Sequence, residues 1–239
     1  MDMEKFVNSR GFSFIDWLWR LIVMNVIIIF ISAVTAFIGF IPSYLATFRT
    51  IKDFKEGKQS GNIFKIYFKN MAYDFKKTIF ITLIFLSIFL ILGFAVWYYA
   101  PSLLEANFSF KDFSLVYAVG FFYMLFCMFI VGLMLIHLPM VMTYFNFSVK
   151  DTLKMSFYMC LKFFFTTFIL FLVWALSIGA ILVKFLIPFW FLIGISGPLF
   201  VSYNLTRGVY WYLSDNEDDI KTVDKFDLEG EEENGKIRD

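Results

Sequence analysis

Charge is scarce in this sequence, and so are the side chains on which most catalytic and metal centres depend. Only 17% of its 239 residues are Asp, Glu, Lys or Arg, against about 25% in ordinary globular domains. One histidine, His137, and two cysteines, Cys127 and Cys160, are all the imidazole and thiol it has. That excludes a disulfide framework and offers no metal-ligand spacing. The cysteines read as small apolar side chains. No HExxH, GxSxG or P-loop pattern occurs, and no pair of polar catalytic groups stands at membrane depth. The expectation is a chain with no catalytic residue, no metal and no cofactor.

What is abundant is apolar surface. Sixty per cent of residues are hydrophobic and 35 are Phe. A water-soluble fold of this length has no interior large enough for them, whereas a bilayer supplies the missing apolar solvent. Five runs are long enough to cross one: 21–41, 79–99, 115–138, 163–183 and 187–205. In hydrocarbon each backbone polar group is satisfied within its own segment, so these runs are expected as helices. The predicted class is an all-α polytopic membrane protein of five transmembrane helices.

The net charge of +1 conceals a division. Residues 1–214 carry 17 Lys/Arg against 9 Asp/Glu, while 215–239 carry 4 against 11. The expected organisation is a helical transmembrane domain over 1–213 and an acidic, disordered cytoplasmic tail over 214–239, too poor in apolar residues to offset its ordering entropy. Neither half has the basic soluble character of a nucleic-acid binder. The segments 47–77 and 143–162, with the chain from 206 onward, hold 16 Lys/Arg, and the rest holds 5. The positive-inside rule then places both basic loops and the C-terminus in the cytoplasm, and five spans place the N-terminus outside.

Both basic loops carry helical periodicity. Phe64, Phe68, Met71 and Phe75 recur on one face with Lys65, Lys69 and Lys76 beside them. Val149, Leu153, Phe157 and Leu161 do the same after a Ser148–Asp151 cap signal. Two cytoplasmic amphipathic helices in the interface plane are expected. A shift of 85 residues aligns Lys69, Tyr73, Lys77, Phe80 and Thr82 with Lys154, Tyr158, Lys162, Phe165 and Thr167. This match is open between a parallel internal repeat and compositional chance.

Few polar residues lie in the spans. His137, two residues before Pro139, reads either as a ligand contact or as one interhelical hydrogen bond. Asp16 and Arg20, four apart, read as a gate, a partner contact or an interfacial pair at the outer mouth of the first helix. Asn25, Thr35, Thr166, Thr167, Ser177 and Asn204 are expected to bond helix to helix. Gly194 and Gly197 suit close helix approach, and Pro198 suits a kink. The aromatic run 209–213 reads as an interfacial belt.

The layout resembles the YesL-like family of bacterial integral membrane proteins, a domain of unknown function. The residues that carry the likeness are Pro42, Ser43 and Ala46; Phe64, Phe68, Phe75, Lys76 and Lys77; and Leu138, Pro139, Ser148, Lys150 and Leu153. It covers about residues 12–213. That family often has Pro-x-x-Thr ahead of the Pro42 element, where this chain has Ala36 and Gly39, so the first helix is expected to be less broken. The resemblance implies a bacterial plasma-membrane protein encoded near carbohydrate-uptake systems, with no catalytic residue to carry over. The function expected from it is a non-enzymatic accessory or scaffold whose partners are the lipid bilayer and subunits of a carbohydrate importer. The alternative is a small homo-oligomeric transporter or channel for a sugar or related solute, with His137 and Asp16–Arg20 along its pathway.

Overall fold

The structure is a computed structural model that describes residues 10–58, 61–105 and 115–215. All but the first two residues of the predicted tail lie outside the described residues. The described elements are helical: α1 (Arg10–Val34), α2 (Phe40–Lys55), α3 (Ile63–Ala72), α4 (Phe75–Glu105), α5 (Leu115–Tyr144), α6 (Val149–Lys162), α7 (Phe164–Gly179), α8 (Ile187–Ile193) and α9 (Ser196–Asp215). Two short 3-10 turns, Ala180–Leu182 and Lys184–Leu186, connect α7 to α8. No strand occurs among the described residues.

Four helical stretches are long and apolar enough to cross a membrane: Phe14–Val34, Phe75–Ala100, Tyr117–Tyr144 and Phe164–Leu182. The bent pair Lys184–Ile193 and Ser196–Asp215 makes a fifth if it is one span. Leu90, Ile91, Phe94 and Trp97 of α4 and Val119, Phe122, Tyr123 and Phe126 of α5 are exposed. Apolar side chains turned outward over that length belong in hydrocarbon. The chain is an all-α polytopic membrane protein.

The first predicted span is not one helix. The run expected over 21–41 breaks at 35–39, and α2 folds back along α1. Arg20 lies 4.0 Å over the Phe54 ring, and Lys55 Nζ lies 4.7 Å from the Trp17 ring. The N-terminal part of α1 therefore sits beside the C-terminal end of α2. Asp16 and Arg20, expected on the opposite face of the membrane from Lys55, stand at the same end of the bundle.

Thr35 sets the turn: its Oγ1 donates to Ile31 O at 2.7 Å and accepts Gly39 N–H at 2.8 Å. Ala36 and Phe37 take left-handed φ of 48° and 68°, which costs an L residue about 1–2 kcal/mol. Gly39 has an ordinary φ of −80°, but a Cβ there would meet Ile31 Cγ2 at 2.6 Å and Thr35 Oγ1 at 2.7 Å. Ala36 and Gly39 thus do not smooth the first helix; they form its break.

Helix α2 is the centre of the molecule. Every residue from Ile41 to Ile51 is buried, the mark of a helix packed on all sides. Its Ile41 and Leu45 meet Ile81 and Phe85 of α4 and Leu138 and Met142 of α5. Tyr44 and Phe48 meet Trp174 and Tyr203 edge-on at 5.7 and 5.9 Å. Pro42 falls in the first turn, where its missing N–H removes no helical bond.

The two amphipathic helices exist, but the faces they pack on the protein differ from the predicted rows. In α3 the buried residues are Ile66 and Tyr67, whereas Phe64 and Phe68, with Phe75 at the start of α4, are exposed beside the lysines. The phenyl row therefore faces out, where lipid would lie. In α6 the buried face is Thr152, Met155, Ser156, Met159 and Cys160, and Phe157 and Leu161 are exposed. The cap is as expected: Asp151 N–H donates to Ser148 Oγ at 3.2 Å. In the 85-residue register Tyr73 falls on Tyr158, yet Tyr73 caps α3 while Tyr158 lies inside α6. What recurs is an order of parts, a capped short helix and then a long one, rather than that register.

Candidate functional site

Three buried polar centres organise the interior. The first joins α1 to the bend between α8 and α9, which turns by 60°. Asn25 is fully buried. Its Nδ2 donates to Trp190 O at 3.2 Å and Phe191 O at 2.8 Å, and its Oδ1 accepts Ile195 N–H at 2.8 Å and Ser196 N–H at 2.9 Å. One amide thus serves Phe191 O of α8 and the first amides of α9, groups that a broken helix leaves without partners, and adds a second bond to Trp190 O, which also accepts Gly194 N–H. Ser196 Oγ donates to Leu21 O at 2.8 Å, and Ser177 Oγ donates to Gly194 O. The bend lies at Gly194, not at Pro198, which occupies the first turn of α9. A Cβ on Gly194 would run into the Trp190 ring, whereas one on Gly197 would meet only Ile193 Cβ at 3.8 Å. Close approach is therefore required at the first glycine and not at the second.

The second centre is His137, 1% exposed in α5. Its Nδ1 lies 2.7 Å from Tyr210 Oη and its Nε2 lies 2.9 Å from Thr167 Oγ1. The Thr167 hydroxyl also faces Phe163 O at 3.0 Å and Cys160 O at 3.2 Å. It can donate only to one of those carbonyls, so it accepts from Nε2–H, and Nδ1 then accepts from Tyr210 O–H. A neutral imidazole satisfies the whole set and ties α5, α7 and α9 together. Tyr210, expected in an outward belt, turns inward for this bond, while its neighbours Trp211 and Tyr212 are exposed. His137 and the Asp16–Arg20 pair share no contact: Arg20 Nε holds Asp16 Oδ2 at 2.8 Å and covers Phe54. Pro139 lies inside α5, within two turns of its end.

The third centre opens to the outside. Arg49 is buried in α2 and reaches three elements. Nη1 donates to Tyr73 O at 3.1 Å; Nη2 donates to Asp74 Oδ2 at 3.1 Å and to Met142 O at 2.9 Å. Burial lowers its pKa, and the Asp74 carboxylate opposes that shift. Asp74 takes a φ of 60°, tolerable for Asp, at the corner between α3 and α4. Beside it Asn70 donates to Thr50 Oγ1 at 3.2 Å and Asp53 Oδ2 at 2.9 Å. Lys77 Nζ donates to Phe147 O.

Arg49, Asn70 and Asp74 border a cleft of about 310 Å³ between the end of α2, the end of α3, the corner before α4 and the end of α5. Arg49, Lys52, Asp53, Lys58, Asn70 and Thr143 supply its polar side chains, together with Asp74 and Asn146. In the sequence Arg49, Lys52 and Lys58 stand only as cations of a basic loop, and nothing there singles out Asp74 or Thr143. The available signal was the polar pattern within 47–55, which alternates Thr, Arg, Lys and Asp with Phe and Ile. Cys160 packs at the buried face of α6, where burial pushes its thiol up to about 12; it is no nucleophile at neutral pH. Among the described residues no group of His, Cys, Asp and Glu is placed to hold a metal ion. No family model, no curated protein and no solved structure matches the chain.

Proposed function

We propose that the chain is a non-enzymatic accessory of a carbohydrate importer in a bacterial plasma membrane, related to the YesL-like proteins it resembles. The observation that carries this reading is how the interior polar side chains are employed. Asn25, His137 and Arg49 each spend their hydrogen-bonding positions on the protein's own helix ends and neighbours. Among the described residues the exposed lysines cluster at one end, where Lys65, Lys69, Lys150 and Lys154 stand on α3 and α6. A molecule built this way offers one polar face to a partner and lipid-facing flanks to the bilayer.

The same reading puts the start of α1 on the cytoplasmic side with the basic loops and the end of α9. With α1 and α2 folded as a hairpin, 14 of the 15 Lys/Arg among the described residues fall on one face, leaving Lys184 on the other. That partition obeys the positive-inside rule more fully than five simple spans do. The hairpin reaches deep, its limb Phe14–Val34 being about 30 Å long at 1.5 Å per residue, close to the thickness of the hydrocarbon core. It enters and leaves by the same face.

Affinity purification from native membranes, read by mass spectrometry, tests the accessory role. A transport subunit is expected to co-purify, and its recovery is expected to fall when Lys65, Lys69, Lys150 and Lys154 are changed together to Gln. Preparations that reproducibly contain no membrane or transport subunit would remove the reading.

A further inference from the structure

Two short helices stand at the basic end, and each leads directly into a span. Helix α3 ends at Ala72 and α4 begins at Phe75; α6 ends at Lys162 and α7 begins at Phe164. Lys77 Nζ, in the first turn of α4, donates to Phe147 O just before α6, so the two helices meet at one end of the bundle, where the spans begin. Each packs one face on the protein and leaves another bare. Ile66 and Tyr67 are buried in α3, and Met155 and Met159 in α6. The bare arcs combine two chemistries. On α3, exposed Phe64 and Phe68 lie within about 40° of each other around the helix axis, with exposed Lys65 and Lys69 roughly 100° further round. On α6 the separation runs along the helix: exposed Lys150 and Lys154 come first, and exposed Phe157 and Leu161 stand next to α7. None of these four lysines is in an ion pair among the described residues, whose salt bridges are Arg20–Asp16, Arg49–Asp74 and Lys58–Glu56. Asp151, the one carboxylate of α6, receives the Ser148 hydroxyl.

We propose that the exposed arcs of α3 and α6 together bind an anionic phospholipid leaflet, the phenyl and leucine side chains entering its acyl region and the lysines holding its headgroup phosphates. An apolar arc beside a cationic one is what a helix needs to lie in that interface. Lysine suits it, because its four-carbon stem follows apolar surface while the ammonium stays in water. A soluble acidic partner would meet the lysines and leave Phe64, Phe68, Phe157 and Leu161 in water. A neutral leaflet would cover those apolar groups and leave the lysines unmatched. An anionic lipid surface satisfies both arcs. Phe80 of α4 and Phe165 and Phe168 of α7 are exposed as well, so the apolar arcs run on into the lipid-facing spans. The inference rests on this one chain and does not depend on any importer partner.

The test places the full chain in nanodiscs of phosphatidylcholine with a minor share of phosphatidylglycerol, and native mass spectrometry counts the lipids that stay with the chain on release. Retained phosphatidylglycerol is expected to exceed its share in the disc at least about threefold, since each lysine near an anionic leaflet attracts it. Molar salt is expected to erase that excess by screening. Changing Lys65, Lys69, Lys150 and Lys154 together to Gln should bring retention down to the share in the disc, whereas changing all four to Arg should keep the excess. Lys184→Gln, at the opposite end, should leave it unchanged. The altered side chains are exposed, and thermal melting in phosphatidylcholine alone checks that each variant folds as the parent does. Retention equal to the disc's share overturns the proposal, and so does an excess indifferent to salt or kept by the normally melting Gln variant. An excess that appears only after Glu231, Glu232 and Glu233 are changed to Gln also overturns it, since the acidic segment would then hold the lysines in place of lipid.

Discussion

Two of the breaks between the described helices, at 35–39 and at Gly194–Ile195, are satisfied in opposite ways. At 35–39 the chain serves itself. Thr35, Ala36, Phe37, Ile38 and Phe40 donate to backbone carbonyls within the turn or the helix before it, and Gly39 donates to the Thr35 hydroxyl. At Gly194–Ile195 the freed groups are served by Asn25 from a helix about 170 positions away in sequence. The difference shows in burial. The first break exposes Val34, Phe37 and Ile38, since a turn that satisfies its own amides can face lipid. The second sits among Asn25, Ile195 and Ser196, all buried, because a borrowed partner works only while the helices stay packed. A local break is written in adjacent residues; a borrowed one depends on tertiary structure.

Removing the borrowed partner should have the largest effect. Asn25→Leu leaves the Phe191 carbonyl and the Ile195 and Ser196 amides unserved inside the bundle, a loss on the order of 3 kcal/mol or more. Thermal melting in detergent is expected to fall sharply, with α9 losing its hold on α1. If Asn25→Leu melted with the parent chain, the bend would not depend on this amide.

Next in size is the close approach at the first break. Gly39→Ala puts a methyl group against Ile31 and Thr35, for which overpacking costs about 1–3 kcal/mol. Ile31→Ala in the same chain should restore part of it, by relieving one of the two contacts. A Gly39→Ala chain as stable as the parent would mean that the turn yields freely.

The smallest effect belongs to the side chain that caps the self-sufficient break. Thr35→Val removes the hydroxyl that receives Gly39 N–H, about 1 kcal/mol. Its melting shift is expected to be a fraction of that for Asn25→Leu. Equal shifts would erase the distinction between the two breaks.

Much of the fold was legible because hydrocarbon imposes a simple pattern. The long apolar runs of α4, α5 and α7 read directly as helices, and Ser148 with Asp151 marked the start of α6. The first hairpin was not legible. Its run of Ile, Val, Ala and Phe is uninterrupted in hydropathy, and a left-handed pair at Ala36 and Phe37 leaves no compositional trace where Gly or Asn would have announced it. The segment after it, rich in lysine, read as a loop at the membrane surface. Its apolar positions instead bury α2 at the centre of the molecule, with Arg49 held by Asp74 and two carbonyls. The cleft was illegible for the same reason. Lys52, Asp74 and Thr143 come together only when α2, α4 and α5 converge, and no spacing along the chain encodes that.

Sidedness of the first hairpin is the point on which the architecture turns. In a chain freed of Cys127 and Cys160, single replacements Asp16→Cys, Glu56→Cys and Lys184→Cys would be challenged with a membrane-impermeant maleimide in intact cells and again after lysis. The hairpin predicts that the first two are protected in intact cells and react together only after lysis, while the third reacts from outside. Labelling of Asp16→Cys from outside together with Lys184→Cys, with Glu56→Cys protected, would contradict it, since α1 would then cross the membrane alone.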